Sequence, residues 1–66
     1  MSKFISNYIL KTSADFDNAM FFGVNVIVWQ DGKILDYGGI ITKHSDGSVY
    51  INDGNFLKVN CEFKVR

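Results

Sequence analysis

Val24-Asn25-Val26-Ile27-Val28-Trp29-Gln30-Asp31-Gly32 decides the fold class of this chain. Nearly every residue is β-branched, aromatic or apolar, and the run stops at an Asp-Gly pair. Asp-Gly supplies positive φ at low cost, as a tight hairpin turn requires, so the stretch reads as a strand entering a hairpin. Two further pairs, Asp46-Gly47 and Asp53-Gly54, follow at similar intervals. Together they divide the second half into strands expected over Phe22 to Gln30, Lys33 to His44, Ser48 to Asn52 and Phe56 to Arg66. In the last of these, Leu57, Val59, Cys61, Phe63 and Val65 alternate with Lys58, Asn60, Glu62, Lys64 and Arg66, which predicts one core face and one wet face. In the first, Phe22, Val24, Val26 and Val28 would face the core. Phe21, Asn25, Ile27 and Trp29 would then turn to the other side, which is unusually apolar for a face left to water. Gly38-Gly39 interrupts the second strand, and paired glycines inside a strand mark a bulge or sharp bend.

Ahead of the strands, Thr12 or Ser13 is placed to cap a short helix over Ala14 to Phe22. Asp15 and Asp17 sit near its positive end, Phe16, Ala19 and Met20 share a face, and Gly23 stops it. Lys3 to Leu10 fits either a helix face or a strand, and its aromatic and β-branched content favours a strand. With no repeat, low-complexity run or proline, the 66 residues read as a single domain. The expected architecture is mainly β: a small curled antiparallel meander, or an SH3-like barrel, of about five strands with one short N-terminal helix. Closure would remove the exposed edges of a flat sheet.

Composition bounds the function. A chain of this length buries only roughly 60% of its unfolded surface, so its 47% hydrophobic and 15% aromatic content must serve one small core. Seven Lys and Arg balance seven Asp and Glu, which leaves no long-range field to steer an anionic partner, and nucleic acid is disfavoured. The single cysteine, Cys61, cannot form an internal disulfide, so a reducing, cytoplasmic location is expected. Ser6 and Asn7 interrupt the N-terminal apolar residues before a signal-peptide core develops, and no apolar run approaches the ~18 residues that span a bilayer. A short chain beginning at Met reads as a complete gene product.

No catalytic or metal-binding constellation emerges. His44, Ser45 and Asp46 are neighbours in a hairpin and point apart, unlike a relay whose side chains converge, so His44 reads as a solvated turn residue. A structural zinc site needs about four ligands, and Cys61 is expected on an apolar face as an inert small hydrophobe. The turn carboxylates Asp31, Asp36, Asp46 and Asp53 lack the spacing of a calcium loop. Gly38-Gly39 lacks the following Lys and the strand-to-helix context of a phosphate loop. The expectation is a protein without cofactor or metal that is not an enzyme.

Val24 through Gly32, then Gly39-Ile40-Ile41 and Asp46 through Asn52, resembles the first motif of Sm-like barrels. In that family an alternating strand ends in Asp-Gly, a glycine bends the second strand, an acidic turn precedes the third, and a helix comes first. The resemblance implies a ring-forming, uridine-rich RNA binder. The interval from Gly32 to Gly39 is longer than the family pattern, and Phe56 through Arg66 does not match its RNA-contacting second motif.

Ile27 and Trp29 are the residues most in need of a cover. The N-terminal segment, a second copy of the chain or another protein would each supply one, with Trp29 and Tyr37 as large anchors of an interface. The reading adopted is a non-catalytic interaction module, a homodimer, that uses Ile27, Trp29 and Tyr37 to bind and tune or inhibit a larger protein. A stand-alone inhibitor encoded by a mobile element is its specific form. The alternative is an Sm-like RNA-binding oligomer in which Lys58, Lys64 and Arg66 line the wet face of the last strand and Phe56 stacks on bases.

Overall fold

The computed structural model describes residues 5–66. One helix, α1 (Ser13–Phe21), precedes five strands, β1 (Asn25–Gln30), β2 (Lys33–His44), β3 (Ser48–Ile51), β4 (Gly54–Leu57) and β5 (Glu62–Val65). The strands form one antiparallel sheet in the order β4-β3-β2-β1-β5. The sheet curls without closing into a barrel, so of the two expected forms the curled sheet is the one adopted.

Thr12 caps α1 through a reciprocal box. Its hydroxyl accepts from the Asp15 N–H at 3.1 Å, and Asp15 Oδ2 accepts from the Thr12 and Lys11 N–H groups at 3.2 and 2.9 Å. Two of the orphan donors at a helix start are thereby satisfied, and a carboxylate lies where the helix dipole favours one. Asp15 is buried in consequence. At the other end Gly23 takes φ +63°, which lets its N–H donate to Met20 O and the Val24 N–H donate to Ala19 O, the paired bonds of a Schellman terminus. This termination corrects the expected first strand. Phe22 caps α1 and is 63% exposed, so it is not a core residue, and β1 begins only at Asn25.

Asp31 and Gly32 take φ +52° and +76° in the β1–β2 hairpin, which the Asp-Gly signal predicts. In the β3–β4 hairpin the turn residues are Asn52-Asp53, since Ile51 pairs with Gly54; the expected Asp53-Gly54 turn is displaced by one residue. β2 spans the predicted residues and serves two neighbours. Residues 33–40 pair with β1, and 41–44 pair with β3. The change of partner comes just after Gly38-Gly39, between Ile40 and Ile41. A Cβ on Gly38 would lie 1.8 Å from the Val26 carbonyl oxygen, and its φ of +67° also demands glycine. Two register shifts accompany the bend: Val28 to Trp29 on β1 faces Asp36 to Ile34 on β2, and Val26 to Val28 faces Gly39 to Asp36.

The expected last strand is two strands. A turn at 58–60, with Asn60 and Cys61 N–H groups bonded to Leu57 O, separates β4 from β5, and the chain crosses to the far side of the sheet to pair with β1. Leu57 is exposed and Val59 is 88% exposed, whereas Phe56 packs against the core. The expected strand over Lys3 to Leu10 reduces to an isolated bridge, Ile9 to Lys64, flanked by backbone bonds from Asn7 N to Val65 O and Leu10 N to Phe63 O. Lys3 and Phe4 lie outside the described residues. Leu10, Phe16, Ala19, Val26, Val28, Ile41, Val49, Ile51, Phe63 and Val65 form the core between α1 and the concave face of the sheet. Phe16 meets Phe63 edge to face at 5.6 Å between ring centres.

Candidate functional site

α1 covers one face of the sheet, and its other face is the candidate site. On β1, Val26 and Val28 enter the core, so Asn25, Ile27 and Trp29 project outward. Pairing sets Ile34 and Ile40 of β2 opposite Trp29 and Asn25, and Glu62 and Lys64 of β5 opposite Trp29 and Ile27. The outer face thus carries an apolar strip of Ile27, Trp29, Ile34 and Ile40 beside a charged rim. The described part of the N-terminal segment extends the sheet along the β5 edge, beside this face.

Trp29 is half-buried within the strip. The Lys64 ammonium lies 4.2 Å from its ring centroid, a cation–π contact worth about 0.5–1 kcal/mol at a surface site. The indole N–H is buried with no hydrogen-bond partner. Ile27 is also half-buried, while Tyr37 is 66% exposed at the β2 bulge, where Arg66 Nη2 donates to its carbonyl at 3.2 Å. Ile27 and Trp29 therefore share one face, and Tyr37 stands at its margin. Ile34 and Ile40 complete the strip; only the register, with its two shifts, places them there, which is why alternation along the sequence missed them.

The alternative nucleic-acid residues are divided. Lys64 and Arg66 belong to the β5 end of the sheet, whereas Phe56 lies on β4 and Lys58 just beyond it, at the opposite end of the strand order. The Lys58 ammonium sits 4.3 Å over the Phe16 ring, on the helix side. It enters a cleft of about 310 Å³ that also meets Lys11, Cys61 and Glu62. Burial pushes the Cys61 thiol up, which keeps it in the poorly nucleophilic thiol form.

His44 is not a solvated turn residue. Its side chain is 10% exposed, lies 5.5 Å from the Phe16 ring and bonds through Nε2 to Asp17 Oδ1 at 2.6 Å, while Nδ1 is buried without a partner. The sequence placed it at the end of β2, but the arrival of α1 over that end comes only with the fold. Among the described residues no three His, Cys, Asp or Glu side chains gather so as to hold a metal ion, and no helix is long and apolar enough to cross a membrane. The chain matches no protein-family model, no curated protein and no solved structure.

Proposed function

We propose that the chain is a non-catalytic interaction module that binds a larger protein through the outer face and tunes or inhibits it. One observation carries this reading: α1 packs on the opposite side of the sheet, and the outer face holds half-buried Ile27 and Trp29, with the Lys64 ammonium over the indole, beside exposed Ile34 and Ile40. Such a strip, with a tryptophan at its centre and charges at its rim, has the anatomy of a protein interface, in which a few aromatic anchors dominate affinity. Tyr37 supplies a second aromatic at the margin.

The test is affinity capture from the native host with the wild-type chain, Tyr37→Glu and Trp29→Gln, each checked for folding by near-ultraviolet circular dichroism. A partner retained by wild type and lost with both folded variants supports the reading. A partner retained equally by all three, or none captured by wild type, overturns it.

A second reading is favoured by the order of elements. A helix ahead of the strands, a β1 that ends in the Asp31-Gly32 hairpin and a glycine-bent β2 agree with what the Sm-like resemblance implies. It requires retention on uridine-rich RNA at low salt that falls steeply as salt rises, and absence of retention removes it.

A further inference from the structure

β3 accompanies β2 only from Ile41 to His44, so on that side residues 33–37 of β2 have no neighbouring strand. Beyond them the edge is closed by side chains: Asn52 Nδ2 donates to the Gly38 carbonyl at 3.2 Å, and the Gly38 N–H donates to Asp36 Oδ1 at 2.6 Å. The open stretch is Lys33-Ile34-Leu35-Asp36-Tyr37, all exposed, and beside it lies a hollow of about 430 Å³ lined by Gln30, Asp31, Lys33, Ile34 and Leu35. A free edge bearing three large apolar residues is a template for another strand.

We propose that the strand it takes is the same edge of a second copy, paired antiparallel about a twofold axis normal to the sheet. The sequence is self-complementary in that arrangement. With the axis between Ile34 and Leu35, Lys33 of each copy faces Asp36 of the other, and the two apolar pairs meet at the centre. The faces agree as well. Lys33 is opposite Gln30 and Asp36 opposite Val28, two residues apart on β1, so the register shift at Leu35 brings both charges to the same side of the sheet. Neither makes an ion pair within its own chain among the described residues. A regular foreign strand would be one residue short against this bulge, whereas a second copy carries the same extra residue. The edge shares Ile34 and Tyr37 with the outer face but is joined through the β2 backbone, and the proposal stands whether or not that face binds a larger protein.

Sedimentation equilibrium of purified chains tests it. The wild type is expected to dimerise. Lys33→Asp sets like charges together at both ends of the pair and is expected to weaken dimerisation at least tenfold, as is Asp36→Lys. Mixing the two variants restores opposite charges and is expected to recover a heterodimer of near wild-type affinity. Amide hydrogen exchange gives a second readout: protection at residues 33–37 should rise with protein concentration. Because Asp36 also caps Gly38, the exchange measurement on wild type and Lys33→Asp decides the matter if Asp36→Lys does not fold. A wild-type chain that stays monomeric at millimolar concentration, a Lys33→Asp dimer of unchanged affinity, or concentration-dependent protection confined to other segments overturns the proposal.

Discussion

Replacing Asp15 with alanine tests how the amino-terminal half is held. Its carboxylate accepts the Lys11 and Thr12 N–H groups at 2.9 and 3.2 Å, and its own N–H completes the box with Thr12 Oγ1 at 3.1 Å. Each charge-assisted bond contributes about 1.5 kcal/mol, and the carboxylate adds about 0.5 kcal/mol against the helix dipole. Water can reach the exposed Lys11 and Thr12 backbone and return part of this, so the expected loss is about 2–3 kcal/mol. A domain of this size has a total stability of about 3–10 kcal/mol, so the variant loses a large fraction of it. Urea unfolding followed by Trp29 fluorescence, with a slope of about 1 kcal/mol per molar, should show the midpoint falling by roughly 2–3 M. Asp15→Asn, which keeps one acceptor oxygen, should fall between. A loss below about 1 kcal/mol for Asp15→Ala would show that the box is not what fixes the start of α1.

Gly38→Ala places a Cβ on the Val26 carbonyl in a left-handed conformation; it should cost at least about 3 kcal/mol, and an unfolding midpoint near wild type would show that β2 does not need this bend. Asp17→Ala breaks the bond to His44, but Asp17 is 71% exposed, so the expected loss is below about 1 kcal/mol in the same assay and a larger one would contradict a screened pair. Cys61 should react with iodoacetamide at pH 7 more slowly than a free cysteine, because burial raises its pKa; a rate equal to that of the free thiol would show that the side chain is open to water. The same shift has a stability consequence of definite sign. With the folded value above the unfolded one, the contribution is whole below the unfolded value and lost as pH rises through the folded value.

Residues whose structure is set by near neighbours were legible in the sequence. The Thr12 cap, Gly23 and the Asp31-Gly32 turn act within a few residues, and β2 was bounded by such signals at both ends. Phe56 to Arg66 was misleading because its alternation runs unbroken through a turn that contains neither glycine nor proline. Periodicity records which side chains alternate, and it does not record that the chain leaves one side of the sheet for the other. The site divided in the same way. Ile27 and Trp29 were readable from the alternation of β1, whereas Ile34 and Ile40 depended on bulges whose register only a paired strand defines. His44 acquired its surroundings from α1, whose Asp17 lies 27 residues earlier.

The pairing of β5 with β1 also bears on the order in which the molecule comes into being. Val26 meets Val65 and Val28 meets Phe63, while the segment before α1 bonds to the backbone of the same two β5 residues. Both ends of the described chain therefore converge on one four-residue strand near its C-terminus. The β1–β2, β2–β3 and β3–β4 hairpins can form from nearby residues, but the core gains Phe63 and Val65 only after the other four strands and α1 have been synthesised. Until then Val26 and Val28 lack their cover, so during translation the unfinished chain presents to its surroundings the very surface that the finished one hides.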